Sequence, residues 1–320
     1  MQQKNSPLVS VAMLTYNHEK FISQAIESAL AQIVDFDFEI VIGEDYSTDN
    51  TRKICRDYKE SYSEKIVLIE NVSNIGLVKN YQKVFNACRG KYIAILEGDD
   101  FWHDRYKLQK QIEIIEKDTS IGFVHTNFNR LLENGKLIKN ISKNHDEIIE
   151  GVELFEKLFF GNFICAGTVL FSKKIYDQYI DLNEYIKLNV PTIDAFLWLE
   201  ITKNCKTAFI SSSTLTYRIL NSSLSNNKNY TSKIDFIKKC NNAILFFYDK
   251  YKPTHITKNE ISLRSWRKLM IVATIYNRRD EALLYLNEYS KLNPPFKRYS
   301  FFLNSKICFF IVSKLLSMRY

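Results

Sequence analysis

Three carboxylates that directly follow an apolar run are the part of this sequence best suited to chemistry. Residues 91–104 read KYIAILEGDDFWHD, and the carboxylates are Glu97, Asp99 and Asp100. The β-branched and aromatic residues of the run predict a buried strand, and ligands of open α/β sheets bind outside the carboxyl ends of strands. Carboxylates packed this closely repel one another unless a cation or proton intervenes, and Mg²⁺ prefers a few carboxylates together with substrate phosphates. The segment alone therefore leaves two interpretations: a metal–phosphate site, or a solvated acidic turn that caps the next helix.

Strands and helices alternate in the chain up to this segment. The hydrophobic pattern predicts strands at 8–15, 38–43, 66–69 and 92–96, and helices at 22–33, from about Asn50, and at 77–88. Ser47 or Thr48 is predicted to cap the helix that begins near Asn50. This alternation at βαβ spacing predicts a parallel sheet with right-handed crossovers, as nucleotide-binding folds have.

The rest of the chain continues in mixed elements and then becomes helical. The predicted elements are a helix at 105–117, a strand at 122–129, an Asn-Gly hairpin at 133–136, a helix at 150–160, a strand at 165–172, a helix at 191–203, and strands at 207–211 and 215–219. The Ser- and Asn-rich stretch 221–229 is the predicted linker. Beyond it, helices are predicted at 232–250, 258–276, 279–291 and 299–317.

Composition and charge describe an ordinary globular chain with a basic end. The 320 residues are 46% hydrophobic and 25% charged, which is enough to bury a sizeable core. The net charge is +8, but residues 231–320 hold 17 Lys and Arg against 6 Asp and Glu, a net of +11 that leaves −3 for residues 1–230. Such asymmetry indicates a surface or polyanion as the partner of the basic end.

Cysteine spacing and the chain ends indicate the compartment. The six cysteines form no CxxC pair, which predicts reduced and mostly buried thiols in the cytosol and no zinc site. The N-terminal MQQKNSPLVSV lacks the basic and then long apolar pattern of a secretory signal. No run reaches the 18 or so apolar residues of a membrane span. The sequence thus predicts a cytoplasmic protein.

Five segments in chain order resemble the family 2 glycosyltransferases of the GT-A fold. They are SVAMLTYNHEKFISQAIESALAQ (10–32), EIVIGEDYSTDNT (39–51), NIGLVKNYQKVFNACRGKYIAILEGDDFW (74–102), DAFLWLEI (194–201) and YRILNSSLS (217–225). The resemblance implies an α/β fold with a mostly parallel, Rossmann-like sheet flanked by helices. It also implies a catalytic domain at 1–225 that binds a nucleotide-sugar, followed by a basic helical region at 226–320.

The resemblance implies that the donor lies across the ends of the first, second and fourth strands. Thr15, Tyr16 and Asn17 end the first strand, and the Tyr16 ring would stack on the base; the alternative is a core tyrosine. Asp45 would accept a base N–H, with Glu44 as its neighbour in place of the family's usual aspartate. The alternative for Asp45 is a carboxylate held at a helix N-terminus by the helix dipole.

One lysine is a further implied donor ligand. Lys79 would reach the base or the phosphates. The alternative is a solvated lysine on the outer face of its helix.

The Glu97-Gly98-Asp99 triplet resembles the family's DxD motif, with Glu in place of the first Asp. Asp99 is the implied ligand of Mn²⁺ or Mg²⁺, which would bridge to the donor's phosphates. Glu97 would face the ribose or the ion's water shell, and Asp100 would support the ligands from behind.

Asp194 matches the aspartate that acts as general base in the family, where the preceding residue is usually Glu; this chain has Ile193 there. An inverting transfer needs a carboxylate to take the acceptor hydroxyl's proton. The alternative for Asp194 is a helix N-cap.

Tyr217-Arg218 resembles the start of the family's YRxH segment, with Leu220 in place of the histidine. Arg218 would contact a phosphate oxygen of the donor. The alternative is a surface ion pair.

The last predicted helix is apolar over most of its surface, and Lys306, Ser313 and Lys314 form its polar side. With the local excess of positive charge, this pattern is typical of a helix that lies on an anionic membrane surface. The alternative is packing on the catalytic domain or in a homodimer interface. No aromatic–basic module indicates nucleic acid binding.

The sequence therefore predicts a metal-dependent, inverting glycosyltransferase that uses a nucleoside-diphosphate sugar, with UDP as the expected nucleotide. By analogy with the family, the acceptor is a saccharide or lipid-linked saccharide of a bacterial capsule, O-antigen or similar surface polysaccharide, at the inner face of the plasma membrane. Two alternatives come from other classes: a nucleotide-sugar binding protein without transfer activity, and a nucleotidyltransferase. The chain lacks the N-terminal Gly-rich, basic phosphate loop of the latter.

Overall fold

The computed structural model describes residues 6–142, 146–220, 229–293 and 305–317. The chain divides into two compact units, one of residues 1–187 with 192–220 and one of 188–191 with 221–320. The predicted linker lies, except for Asn229, in residues 221–228, outside the described part, and so do the predicted domain boundary at 225/226 and the end of the YRILNSSLS segment.

The first unit begins with the predicted strand–helix alternation. Its elements are β1 (Val9–Thr15), α1 (Ile22–Leu30), β2 (Phe38–Glu44), α2 (Thr51–Ser61), β3 (Ile66–Glu70), α3 (Leu77–Ala87) and β4 (Tyr92–Ile95). β1 pairs in parallel with both β2 and β4, and β2 pairs in parallel with β3. Every residue of β1, β2 and β4 is buried, because helices cover a parallel sheet on both faces.

The second half of this unit mixes strand directions. It contains β5 (Phe101–Trp102), α4 (Lys107–Lys117), β6 (Ile121–Leu132), β7 (Leu137–Ile138), β8 (Glu147–Ile149), α5 (Gly151–Leu158), β9 (Leu170–Ser172), α6 (Lys173–Tyr179), α7 (Leu182–Lys187), α8 (Asp194–Thr202) and β10 (Lys206–Ile219). The strand order is β3-β2-β1-β4-β9-β6-β10-β5, with β7 beside β6 and β8 beside β10. The fold class is the predicted α/β sheet, and its parallel part is β3-β2-β1-β4 together with the β6–β10 pair.

Some local predictions were wrong for identifiable reasons. The two strands predicted at 207–211 and 215–219 are one long strand, β10, whose register to β6 shifts between Ile210 and Leu215; the polar residues 211–214 interrupt the apolar pattern there. The predicted strand at 165–172 begins with a short 3-10 helix, Ala166–Thr168. The Asn-Gly hairpin is confirmed by the antiparallel pairing of β6 with β7.

The second unit is helical among its described residues. The helices are α9 (Tyr230–Tyr251), α10 (Lys258–Ile275), α11 (Arg279–Leu292) and α12 (Lys306–Ser317), close to the predicted ranges; positions 299–304 of the last prediction lie outside the described residues. A capping box begins α10, in which Thr257 and Glu260 each accept from the other's backbone N–H. The core of this unit includes Ile237, Leu269 and Phe309.

Two chain-wide expectations can be compared with the structure. Cys55 and Cys88 are buried, whereas the other four cysteines are half-buried, and none of the six, all of which lie among the described residues, forms a disulfide. In the parts of the chain that the structure describes, no helix combines the length and apolar character needed to cross a bilayer.

Candidate active site

Three parallel strands end at one edge of the sheet and bring the acidic segments together there. The register pairs Thr15 at the end of β1 with Glu44 at the end of β2. The Gly98 N–H donates to the Leu14 carbonyl at 2.8 Å, which fixes the segment after β4 beside the end of β1. Because the strands are parallel, residues far apart in sequence meet at their carboxyl ends.

The loops after β1 and β2 are held to each other by side chains. Asn17 adopts a left-handed conformation with φ 56°. Its backbone N–H donates to Ser47 Oγ at 3.0 Å, and its side-chain oxygen accepts from the Thr48 N–H at 2.8 Å. Ser47 and Thr48 therefore lock the two loops instead of capping α2, where Asp49 Oδ1 accepts from the Thr51 N–H at 2.9 Å. Tyr16, between these contacts, is 43% exposed, so it is not a core tyrosine.

Glu44 is fully buried and already paired. Arg52 Nε donates to Glu44 Oε2 at 2.5 Å, and the Ser47 N–H donates to Oε1 at 2.6 Å. A charge-assisted hydrogen bond is stronger than a neutral one, and breaking it would leave the buried Glu44 carboxylate uncompensated. Both Glu44 oxygens thus hold the loop that carries Asp45.

Asp45 lies at the N-terminus of α3. Its carboxylate accepts from the backbone N–H of Ile75 at 2.9 Å and of Gly76 at 3.0 Å, and from Asn71 Nδ2 at 2.9 Å. Gly76 has φ 84°, a conformation that glycine adopts without steric cost. The helix dipole favours this negative charge, and the three bonds use three of the roughly four acceptor positions of a carboxylate. Lys79, in the first turn of α3, is exposed.

The carboxylates of Glu97, Asp99 and Asp100 each place one oxygen within 4.8 Å of the others. Burial raises the pKa of Glu97 to about 8, and repulsion from Asp99 and Asp194 adds to the shift. Tyr81 on α3 donates its hydroxyl to Glu97 Oε1 at 3.0 Å. The ionised form of this cluster is therefore unfavourable without a neutralising charge, and such perturbed pKa values are typical of functional sites.

Asp100 has a buried oxygen without a hydrogen-bond partner. Oδ1 accepts from the Arg218 N–H at 2.8 Å, but Oδ2 has no partner among the described residues. Burial, with repulsion from Asp99 and Glu97, raises the pKa of Asp100 well above its usual value. An orphaned buried oxygen among three carboxylates fits a divalent cation, since such oxygens are costly when left unpaired.

Arg218 holds the acidic segment from behind. Its guanidinium donates to the Asp99 carbonyl and to Gln24 Oε1. It lies between two rings, with Cζ 4.9 Å from the Phe21 centroid and 4.7 Å from that of Phe101. Arg218 is 7% exposed, so the surface ion pair considered for it is wrong.

Asp194 is the first residue of α8, with Ile193 in the N-cap position. Thr192 Oγ1 donates to Asp194 Oδ1, and Asn162 Nδ2 donates to Oδ2 at 2.7 Å. Burial raises the pKa of Asp194, although the hydrogen bonds from Thr192 and Asn162 oppose the shift. Its charge also contributes to the raised pKa of Glu97, so Asp194 shares the electrostatic environment of the acidic cluster.

Most of the predicted site residues lie at the carboxyl ends of the parallel strands, together with several residues that were not predicted from the sequence. Glu97, Asp99 and Asp100 adjoin one another, Thr15 lies beside Gly98, and Tyr16, Asn17 and Asp45 lie on the two locked loops. The residues missed by sequence are His18, Asn71, Tyr81, Asn162 and Thr192. His18 had a signal, because it directly follows the polar end of β1, and its Nε2 lies 4.0 Å from Asp99 Oδ2. Tyr81 falls in the buried stripe of α3, where its position predicts a core residue.

Gly98 allows the acidic segment to pass close to β1. A Cβ at this position would lie 2.8 Å from Thr15 Oγ1 and 2.9 Å from His18 Nδ1. We expect Gly98→Ala to cost about 1–3 kcal/mol of stability and to weaken donor binding, measured by thermal unfolding and calorimetry with a nucleotide-sugar. Gly135→Ala is the matched control: it adds backbone strain in the β6–β7 turn, where a Cβ meets nothing within 4 Å, and should leave donor affinity unchanged. Equal donor affinity of wild type and Gly98→Ala would contradict the close approach.

The sequence matches the model of the family described as "Glycosyl transferase family 2" over residues 10–180. An uncharacterized protein of Mycobacterium tuberculosis is 36% identical over 117 residues, which cover 36% of this chain and 34% of that protein; the match thus spans about a third of this relative. The Escherichia coli protein WfaP, named as a UDP-Glc:alpha-D-GlcNAc-diphosphoundecaprenol beta-1,3-glucosyltransferase, is 30% identical over 225 residues, which are 69% of this chain and 81% of WfaP.

Solved structures show the same fold at low sequence identity. TarS of S. aureus, in complex with UDP-GlcNAc, aligns with a TM-score of 0.61 at 14% identity, over 98% of this chain and 91% of TarS. The mannosyltransferase PcManGT of Pyrobaculum calidifontis, in complex with GDP-Man and Mn²⁺, aligns with a TM-score of 0.55 at 13% identity, over 98% of this chain and 88% of that one.

Proposed function

This chain belongs to glycosyl transferase family 2, and on that premise we propose that it moves a sugar from a nucleoside-diphosphate sugar to an acceptor hydroxyl with inversion. One observation carries the proposal: three carboxylates at the strand ends place oxygens within 4.8 Å of one another, and one of these side chains, Asp100, has an unpartnered buried oxygen. Solved structures of the same fold in complex with UDP-GlcNAc, or with GDP-Man and Mn²⁺, support the class of donor and ion.

The nucleotide would lie against the loops after β1 and β2. The exposed ring of Tyr16 offers a stacking face. The remaining acceptor position of Asp45 would receive a base N–H. Lys79, exposed on the helix whose N-terminus binds Asp45, would approach the phosphates.

The diphosphate would lie at the acidic cluster. A divalent ion, Mn²⁺ or Mg²⁺, held by Asp99 with Glu97 and Asp100 beside it, would neutralise the charge that develops on the departing diphosphate. Arg218 fixes the backbone at Asp99 and stabilises Asp100 through its N–H. We therefore assign Arg218 the positioning of the metal ligands, in preference to the direct phosphate contact that the resemblance implies.

Asp194 would act as general base. The acceptor oxygen would attack the anomeric carbon while the bond from that carbon to the diphosphate oxygen breaks, and the nucleoside diphosphate would leave with the bonding electrons. Asp194 would take the proton of the acceptor hydroxyl. Its raised pKa makes it a better proton acceptor than an ordinary aspartate, and Asn162 and Thr192 fix its orientation.

The acceptor is proposed to be a saccharide. Phe163 follows Asn162 directly and is 55% exposed, so an aromatic surface lies next to the residue that holds Asp194. Phe163 also lines a cavity of about 110 Å³, together with Cys165 and His125. The name of WfaP supports a lipid-linked sugar as the acceptor.

The proposal is tested by incubating the full chain with UDP- and GDP-sugars, Mn²⁺ and saccharide acceptors, and by measuring nucleoside diphosphate release and the anomeric configuration of the product. We expect the nucleoside diphosphate and the inverted product to appear together. Donor binding without release or transfer for any donor would support the binding-protein alternative, and pyrophosphate release from a nucleoside triphosphate would support a nucleotidyltransferase.

A further inference from the structure

The last described helix, α12, is buried on one side, and its opposite, exposed side is rich in apolar residues. Phe309 and Ser313 are 2% and 5% exposed, and Phe309 belongs to the core of the helical unit. In contrast, Phe310, Ile311 and Leu315 are 50%, 52% and 63% exposed. The burial of Ser313 differs from the sequence prediction, which placed it on the polar side, because the helix packs through this small residue. The exposed residues Lys306, Phe310, Ile311, Lys314 and Leu315 form what we term the outer face of α12.

Around the helix axis, the outer face changes from a part that contains both lysines to a part that is apolar. At about 100° per residue, Lys306, Phe310 and Lys314 share an arc of about 80°, and Ile311 and Leu315 continue the exposed side beyond it. Lys314 Nζ lies 4.9 Å from the centroid of the Phe310 ring. The Lys314 side chain therefore lies against apolar surface, as the long stem of a lysine often does.

We propose that the outer face of α12 docks on an anionic lipid bilayer and lies in the plane of its interface. A helix of 12 residues is about 18 Å long, well short of the roughly 30 Å hydrocarbon core. Phe310, Ile311 and Leu315 would enter the boundary between headgroups and acyl chains, and the lysines would contact anionic headgroups.

The net positive charge of the C-terminal residues favours an anionic bilayer, and not a second copy of the chain, as the partner of the outer face. Residues 231–320 carry a net charge of +11, and several of their carboxylates are already neutralised in ion pairs, namely Asp235 with Lys239, Asp249 with Lys258, and Glu288 with Lys291. A symmetric contact between two outer faces would bring this excess of positive charge against itself. An anionic bilayer attracts positive charge and also buries apolar side chains, so it matches both components of the outer face.

The inference goes beyond the proposed function and does not depend on transfer activity. If the acceptor is lipid-linked, docking would place the chain on the surface that holds its substrate. The Asp194→Asn chain, in which sugar transfer should be strongly slowed, should bind vesicles as the wild type does, so failure of the one proposal can be told apart from failure of the other.

The test is sedimentation of the full chain with vesicles of phosphatidylcholine alone or with phosphatidylglycerol. We expect binding to the anionic vesicles, weakened at high salt, and on the order of a tenfold or greater loss of binding in Ile311→Ser/Leu315→Ser. Leu284→Ser is the matched control, since Leu284 is an equally exposed leucine (58%) on α11 of the same unit, and it should bind as the wild type does.

Two results would overturn the proposal. One is equal binding of the double variant and the wild type to anionic vesicles. The other is absence of binding to the anionic vesicles. A dimer, seen by light scattering, that the double variant dissociates would then assign the outer face to a second copy of the chain.

Discussion

Asp194→Asn should lower the rate of sugar transfer by about 10²–10⁴-fold while leaving donor affinity within about twofold of the wild type. The loss corresponds to about 2.7–5.5 kcal/mol of transition-state stabilisation, the range expected when a positioned general base is removed. The carboxamide keeps the shape of the side chain but cannot take the acceptor's proton. The measurements are initial rates with a saturating acceptor and calorimetric donor affinity.

The control for this variant is Asp177→Asn. Asp177 is a half-exposed aspartate whose carboxylate pairs with Lys173 on α6, so its substitution should leave the rate unchanged. The hydrogen-bond partners of Asp194 are also informative: Asn162→Ala removes the donor to Oδ2 without removing the carboxylate, and should lower the transfer rate less than Asp194→Asn. A wild-type rate in Asp194→Asn would exclude this residue as the base.

Asp99→Ala should abolish Mn²⁺-dependent donor binding and at the same time stabilise the metal-free protein. Repulsion from Asp99 contributes to the raised pKa of both Glu97 and Asp100, after burial, so its removal relieves like charges at 4.8 Å or less. We expect a gain of about 1–3 kcal/mol in metal-free buffer above pH 8, where Glu97 is ionised, and a smaller gain at lower pH, where Glu97 is protonated. The Asp99 carbonyl that accepts from Arg218 belongs to the backbone, so this brace remains in the variant.

Thermal unfolding with and without Mn²⁺, and donor titration under both conditions, measure these effects. Asp57→Ala is the matched control: Asp57 is a surface aspartate on α2, with a side chain 57% exposed and paired with Lys53, and its substitution should change neither quantity beyond about 0.5 kcal/mol. A variant that is less stable without metal, or that retains the Mn²⁺ response of donor binding, would contradict the assignment of Asp99 as metal ligand.

Together, Asp99→Ala and Asp194→Asn distinguish metal-dependent donor binding from the sugar-transfer step. Loss of metal-dependent binding in Asp99→Ala with retained binding in Asp194→Asn is the pattern expected of a transferase. A stabilising loss-of-function substitution is also typical of a functional cluster, because carboxylates assembled for a ligand are held together at the expense of stability.

The sequence by itself determined the alternation of strands and helices and the strand ends at which polar residues cluster. Buried parallel strands are continuous apolar runs, and the helices between them have a distinct period, so both patterns can be recognised locally. Since parallel strands end at a common edge, Tyr16, Asp45 and Asp99 were expected to lie near one another before any distance was known. The resemblance to a family added roles to these positions.

Only the tertiary structure decided which of these side chains are available to a ligand. Glu44 and Asp45 are adjacent in sequence, yet Glu44 is paired on both oxygens by Arg52 and Ser47, whereas Asp45 lies at the N-terminus of α3. Arg218 is an arginine that sequence alone assigns equally to a phosphate or to the surface, but it lies between two rings behind the acidic segment. Hydrogen-bond partners and burial come from residues distant in sequence, and the strength of electrostatic effects depends on that burial; a local pattern cannot contain this information.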